Sequence, residues 1–328
     1  VTSSSESKSA GAVLSVLRKT PGQPISLDEL EAKTGLDKAT IKDSIKHLRE
    51  SGVEIDSGDR GYALFSLPET IFPAILHAEL RSRVMGWEIH SYKTIGSTNE
   101  AARRLAESGA PEGTLVIAER QTRGRGRRGR SWYSSAGLGL YFTLVLRPQV
   151  DFERMPALSM VAALSVSRIL DKYTGQEAQI KWPNDCLLQG KKVAGILVEL
   201  SGENDHIAYT VMGIGINVNH AAADFPSHLR SKATSMAIAT GRQFDRAAIL
   251  CDFLYEFEKS YANFQRYGLR FLGPELVKRS AVLGKKVNVS FGKKKISGTA
   301  VGFDENGALR VQDKSGVQTF AAGEVTLR

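Results

Sequence analysis

An α+β chain built from three units is what the 328-residue sequence predicts, and three observations carry that expectation. Residues 9–66 read as short amphipathic helices followed by a hairpin, and the middle of the chain mixes apolar strand runs with two long helices. The last stretch is a series of short strands separated by Gly-, Asp- and Asn-bearing turns. The division expected is 1–67, 68–272 and 273–328. With 42% hydrophobic residues, such a chain can fill sizeable cores.

In the first unit Val13, Leu14 and Leu17 recur at helical spacing. SLDELEAKTG then offers Ser26 as N-cap with Glu29 three residues on and Gly35 to close the helix. LDKATIKDSIKHLRESG follows, with Asp37 placed to cap and Gly52 to stop. Two helices joined by a short Gly-containing turn, and then two strands in VEIDSGDRGYAL, describe a winged helix-turn-helix. Ile41, Ile45 and Leu48 form the buried stripe of its second helix. Lys38, Thr40, Lys42 and Lys46 are the candidate DNA-binding residues, on a face that Arg49 extends. A basic stripe is also the ordinary solvated face of a helix, and residues 1–66 hold nine Lys and Arg against ten Asp and Glu. Both readings of the face stay open.

After Leu67–Pro68 the chain changes character. A strand, a helix beginning near Ser97, an apolar strand ending near Glu119 and the strand LYFTLVL lead to the long helix MPALSMVAALSVSRILDKYTG. QIKWPNDCLLQGKKVAGILVELSG alternates short strands and turns, HIAYTVMGIGINVNH adds another strand, and AAILCDFLYEFEKSYANFQRYGL is a second long amphipathic helix. Strands clustered by hairpins predict a mixed or antiparallel sheet with helices on one side. The tail from about 273 resembles a small SH3-like barrel.

The net charge of +9 favours anionic partners. Cys186 and Cys251 are too few for a disulfide framework and lack metal-ligand spacing, so a reducing compartment and a cytoplasmic location are expected. VTSSSESKSAG has no apolar leader core, no run reaches membrane-spanning length, and the chain opens on Val1, as a trimmed N-terminus would.

Six arginines stand between Arg120 and Arg130 in ERQTRGRGRRGRSWYSS, and Gly124, Gly126 and Gly129 spell G-x-G-x-x-G. A dinucleotide fold needs a helix directly after those glycines to hold a pyrophosphate, but here a strand follows. A disordered Arg-Gly nucleic-acid segment is excluded by the core strands on both flanks. The loop therefore belongs to a site. Its glycines let backbone amides approach an anion, its guanidiniums grip phosphate or carboxylate, and six like charges predict a loop that orders around a polyanion such as an adenylate.

Three more segments bear on this site. Ser97 and Glu100 in GSTNEA make a capping box, or else Ser97 and Thr98 present hydroxyls to a polar ligand. Asn184 and Asp185 after Trp182–Pro183 form an ordinary turn, or else a nucleotide amide contact beside a cation-associated carboxylate. Lys192 at a hairpin mouth is solvated, or else neutralises a developing phosphate charge.

Taken in order, GSTNEA, ERQTRGRGRRGRSWYSS, KWPNDCLL, GKKVAGILVEL and GIGINVN resemble the biotin protein ligases, the biotin–[acetyl-CoA-carboxylase] ligases, over residues 88–328. Residues 9–66 extend the likeness to the two-function type that also represses biotin-synthesis operons. Lipoate ligases are similar in fold but lack the Arg-Gly loop.

The resemblance implies a class II synthetase-like catalytic unit with biotin and ATP as substrates and Mg2+ as cofactor. It implies a biotin carboxyl carrier domain of acetyl-CoA carboxylase and biotin operator DNA as partners, and a homodimer in the ligand-bound form. It also assigns roles. Ser97, Thr98 and Gln121 would hold the ureido ring, Arg125 the carboxylate region, and Gly195 would let its strand approach biotin. Arg127 and Arg130 would stabilise phosphate, Trp132 would join the adenylate site, and Asn184 and Asn217 would contact adenine. Lys192, Arg127 and Asp185 are the expected catalytic residues, with Lys192 at the biotin carboxylate and α-phosphate and Asp185 orienting the attacking lysine or metal. No residue is assigned as a resident metal ligand. A repressor whose ligase-like domain only binds ligand is the alternative reading. The first unit departs from an operator-binding pattern in its acidic balance, with Asp37 and Asp43 on the proposed recognition helix.

Overall fold

Local signals at the N-terminus act as the sequence predicts. The structure, a computed structural model, describes residues 4–203, 206–291 and 294–327. Helix α1 (Ser4–Leu17) buries Val13, Leu14 and Leu17 against α2 (Leu27–Thr34) and α3 (Lys38–Glu50). Ser26 Oγ accepts from Glu29 N at 3.2 Å, and Asp37 Oδ1 accepts from Ala39 N and Thr40 N at 3.0 and 2.9 Å, satisfying amides that have no partner within the helix. Gly35 ends α2 with φ +71°, a left-handed conformation suited to glycine. Strands β1 (Glu54–Gly58) and β2 (Gly61–Ser66) pair as an antiparallel hairpin.

A helix that sequence reading passed over comes next, α4 (Pro73–Glu79), too short to show a period but started by Pro at its first turn. It crosses α1 closely at Gly11, where an added Cβ would lie 2.6 Å from His77 Cβ. From there the chain enters a seven-stranded sheet made of β3 (Ile89–Ile95), β4 (Leu115–Gln121), β5 (Gly139–Leu146), β6 (Gln179–Lys181), β7 (Asp185–Leu188), β8 (Lys191–Glu203) and β9 (His206–Asn217). Their order across the sheet is β3-β4-β5-β9-β8-β7-β6, with β3 and β4 parallel and the other pairs antiparallel.

Side-chain alternation on these strands sorts the helices onto two faces, not one as expected from sequence. Leu115 and Ile117 of β4, Leu144 and Leu146 of β5, and Met212 and Ile214 of β9 share a core with α6 (Met155–Thr174) and α8 (Arg246–Tyr267). Their neighbours Val116, Val145 and Val211 pack instead with Ala101, Ala102 and Ala106 of α5 (Thr98–Glu107) on the opposite face. The sheet is therefore covered on both sides, and β5 is buried at every position. Between β9 and α8 lies the short α7 (Met236–Thr240).

Residues 273–278 are helical rather than the first strand of the tail. They form α9 (Gly273–Lys278), whose Glu275 is paired with Arg168 of α6. The tail strands begin later, as β10 (Lys286–Phe291), β11 (Lys294–Phe303), β12 (Leu309–Asp313), β13 (Gly316–Phe320) and β14 (Glu324–Leu327), in an antiparallel sheet of order β13-β12-β11-β10-β14. The indole N–H of Trp182 donates to Gly307 O at 3.0 Å and ties this sheet to the segment between β6 and β7. Among the described residues no helix is long and apolar enough to cross a membrane. Both cysteines are free and buried, and burial pushes their thiols well above the ordinary range.

Candidate active site

The Arg-Gly loop follows β4 and closes on itself. Gly126 N donates to Arg130 O at 2.7 Å and Trp132 N to Gly124 O at 2.9 Å, with one 3-10 turn at Arg127–Gly129. Arg128, at φ 56°, reaches the C-terminal sheet and donates to Ser290 O at 2.8 Å. The like charges of the loop are separated by carboxylates drawn from other elements. Arg125 faces Glu199 at 3.2 Å, while Arg128, at 3.5 Å, and Arg130 both face Glu324. The hydrogen bond from Arg130 holds the Glu324 carboxyl below the usual carboxylate range.

Beneath the loop lies a cleft whose lining includes Ser97, Gln121, Arg125, Arg127, Arg130, Trp132, Asn184, Asp185, Lys192 and Gly195, so ten residues expected from sequence converge here. Lys192 Nζ sits 2.6 Å from Asp185 Oδ1 and 5.2 Å from the centre of the Trp132 ring. Arg127 Nη1 donates to Asn184 Oδ1 at 3.1 Å, and Asn184 Nδ2 donates to Ile196 O at 2.7 Å. Burial, then Arg128, lowers the Arg127 pKa, although a guanidinium keeps its proton in proteins.

Ser97 makes no side-chain cap bond to α5, so the capping box expected there does not form. The first residue of α5 is instead held from across the fold: Thr98 N and Oγ1 donate to Gln121 Oε1 at 2.9 and 3.1 Å. Gln121 Nε2 then donates to Ser134 Oγ at 3.0 Å. Thr98 thus stands behind the lining as a support for Gln121.

Asn217, like Thr98, is an expected residue that lies outside the cleft lining. It is 4% exposed and its Nδ2 donates to Thr234 O at 2.9 Å, outside the cleft lining. Its position at the end of β9 places that amide on the following loop rather than over the cleft.

Sequence reading missed Asn99, Lys181, Glu199, Gly213, Gly215 and Glu324. Asn99 Oδ1 accepts from Thr143 Oγ1 at 2.7 Å, and its Nδ2 donates to Glu199 Oε2 at 2.7 Å. An added Cβ would lie 1.9 Å from Asn99 Oδ1 at Gly213, 2.3 Å from the Trp132 ring at Gly215, and 3.0 Å from that ring at Gly195. The glycines of β8 and β9 are therefore a floor on which the indole lies, and the alternating G-I-G of GIGIN was the signal for it. Trp132 Nε1 is buried without a hydrogen-bond partner among the described residues, a donor suited to a ligand acceptor.

The four proposed DNA-binding residues lie on α3. Lys38 is held by Asp28, Thr40 Oγ1 donates to its own cap Asp37 at 2.7 Å, and Lys46 is 4.0 Å from Glu50. Arg49 turns inward to Ile55 O at 2.7 and 3.0 Å. Lys42 is exposed.

A mixed sheet, a glycine floor and a cation-lined cleft beneath an Arg-Gly loop make a site suited to an anionic ligand. The Biotin/lipoate A/B protein ligase family model matches residues 91–217, and the Biotin protein ligase C terminal domain model matches 282–328. The chain belongs to the biotin protein ligase family. It is 35% identical to the bifunctional ligase/repressor BirA of Bacillus subtilis over 308 residues, 92% of this chain and 94% of that one. To the BirA of Escherichia coli it is 31% identical over 310 residues, 94% of each chain. The solved biotin protein ligase from Aquifex aeolicus in complex with biotin and ATP is 34% identical and covers 74% of this chain and 98% of its own, with a TM-score of 0.64.

Proposed function

We propose that the chain is an ATP-dependent biotin protein ligase that forms biotinyl-5′-AMP and transfers biotin to a lysine of the biotin carboxyl carrier domain of acetyl-CoA carboxylase. The observation that carries this reading is the convergence of Lys192, Arg125, Arg127 and Arg130 on one glycine-floored cleft.

In the first step a biotin carboxylate oxygen attacks the α-phosphorus of ATP and the bond to pyrophosphate breaks. Two anions must meet, so the work of the site is electrostatic and positional. Lys192 neutralises the carboxylate and α-phosphate, and Arg127 and Arg130 hold phosphate oxygens. Ser97, Thr98 and Gln121 bind the ureido ring, Arg125 and Gly195 border the biotin chain, and Trp132 and Asn184 face the adenylate. In the second step the acceptor amine attacks the acyl carbon, AMP leaves, and Asp185 orients the amine beside Lys192. The loop shields the mixed anhydride from water meanwhile. Asn217 acts at one remove in this scheme, through the Thr234 loop.

Magnesium enters with ATP as part of the substrate. Asp185, paired with Lys192 in the cleft, is the carboxylate that would stand beside the ion, which would offset the charge of the phosphates.

The division into 1–67, 68–272 and 273–328 goes with this reading: a winged helix-turn-helix, a catalytic unit and an SH3-like unit. The capped helices α2 and α3 followed by the β1–β2 hairpin support operator binding by the first unit, and the family likeness supports ligand-linked dimerisation. The test is incubation with biotin, MgATP and a carrier domain, followed by mass spectrometry for biotinyl-lysine. Biotin-dependent pyrophosphate release that persists in the double variant Arg127→Gly, Lys192→Ala refutes the site assignment. Operator binding without transfer favours a sensing repressor, and competition by lipoate favours a different acyl substrate.

A further inference from the structure

The excursion that carries the Arg-Gly loop leaves β4 after Gln121 and returns at Gly139, the first residue of β5. The β4–β5 ladder runs from Leu115↔Leu144 to Ala118↔Tyr141 and stops there, short of the base of the excursion. A side chain from α8 takes over at that point. Arg246 is 5% exposed. Its Nη1 donates to Glu119 Oε2 at 2.9 Å and to Gly139 O at 3.0 Å, and its Nη2 donates to Glu119 Oε1 at 3.3 Å and to Glu69 O at 2.6 Å. Glu119 Oε1 also accepts from Ile71 N at 2.8 Å.

One guanidinium therefore grips the strand that leads into the excursion, the residue at which it returns, and residues 69–71. These residues join the β1–β2 hairpin to α4, on which α1 packs. The planar fork of arginine is needed for this geometry, because its donors reach four oxygens on three residues in fixed, divergent directions while neutralising a buried carboxylate. Two residues beyond Glu119, Gln121 supports Thr98 and Ser134 at the cleft. Displacement of the joint is thereby felt at the ligand site without any contact between Arg246 and ligand.

We infer that Arg246 and Glu119 are positioning residues that couple the segment 69–71 to the base of the Arg-Gly excursion, so that ordering at either end favours ordering at the other. Coupling of this kind is reciprocal by thermodynamic necessity. Its ligand-dependent half rests on the biotin and ATP reading above, whereas the mechanical half does not.

Hydrogen–deuterium exchange on the full chain separates the two. Arg246→Lys keeps a cation for Glu119, but a single ammonium cannot span Gly139 O and Glu69 O together. In the absence of ligand, exchange in segments 69–76 and 121–138 of this variant should accelerate together by about tenfold, while β10–β12 stays unchanged. Biotin plus ATP should slow both segments in the unaltered protein but only 121–138 in the variant. KM for biotin should rise about three- to tenfold with kcat nearly constant. Glu119→Gln, which retains an acceptor for Ile71 N–H, should show the same pattern more weakly and serves if the lysine variant does not fold. Acceleration confined to one segment overturns the joint, and so does ligand protection of 121–138 that leaves 69–76 of the unaltered protein unmoved. If biotin plus ATP protects neither segment, the ligase reading fails, and the ligand-free comparison still decides the joint.

Discussion

Replacing Gly215 with alanine places one methyl group where the Trp132 indole lies. The new Cβ would stand 2.3 Å from Cε2, 2.4 Å from Nε1 and 2.8 Å from Cζ2 of that ring. Carbon atoms pack at about 3.5–4.0 Å, so the ring must retreat by more than about 1 Å. Sliding along the sheet is limited, since the Trp132 amide is fixed on Gly124 O. The indole therefore lifts from the floor into the cleft and separates from Lys192. Overpacking of this size costs about 1–3 kcal/mol in a well-packed site. A misplacement of about 1 Å in a positioning group lowers rate by as much as about 100-fold. Biotin-dependent ATP–pyrophosphate exchange measures the loss, and the fluorescence difference against a Trp132→Phe background reports the ring. In the Trp132→Phe background the alanine should do much less harm, because the smaller ring has room to move. An exchange rate within about twofold of the unaltered protein, with tryptophan emission unchanged, refutes the floor argument.

Three further outcomes follow from the same geometry. His220 is fully buried, lies 3.2 Å from Tyr141 Oη and stacks on Phe225, and burial depresses its pKa from 6.5 to about 4. Its contribution to stability is complete above pH 6.5 and is lost as pH falls from there through about 4, at most on the order of 3 kcal/mol; urea unfolding at pH 7 and pH 5 should lose part of this difference in His220→Asn. Glu324 competes with phosphate for Arg128 and Arg130, so Glu324→Ala should lengthen the lifetime of bound biotinyl-5′-AMP in a dissociation assay, and an unchanged or shortened lifetime argues against an exchange of partners. On α3, Lys42→Ala should weaken operator binding and reduce the log–log salt slope by about 0.9, while Lys38→Ala, whose charge Asp28 already holds, should change it less; equal slopes for both remove α3 from the phosphate contacts.

What the sequence disclosed divides by the range of the interaction concerned. Ser26 and Asp37 cap their helices as expected because a cap is settled within three residues. Ser97 carries the same local pattern and makes no side-chain cap bond, while the Thr98 amide beside it is held by Gln121, 23 positions on. The same distinction governs the cleft. Ser97, Gln121, Arg125, Arg127, Asn184, Asp185, Lys192 and Gly195 lie in short quoted motifs and were found there. Asn99 and Glu199 also lie in quoted motifs, GSTNEA and GKKVAGILVEL, and Glu324 lies in none; all three are passed over because what marks them is a partner 44 to 194 positions away in the chain. Helix α5 was expected on the same face as α6 and α8 because its stripe of small alanines fits either side of a sheet, and only the parity of Val116, Val145 and Val211 assigns it.

These long-range partners explain how six arginines stand in eleven residues of a folded protein. Each of Arg125, Arg128 and Arg130 meets a carboxylate from β8 or β14, and Arg127 leans on Asn184, so the loop is stabilised by charges it would exchange for those of a polyanion. Surface pairs of this kind contribute at most about 1 kcal/mol each in water, and a phosphate offering several oxygens to two guanidiniums competes well against them. On the proposed reading, closure of the loop on a nucleotide would be an exchange of partners rather than a gain of new contacts in open solvent. That exchange requires the base of the excursion to stay fixed while its tip moves, which is the place Arg246 occupies.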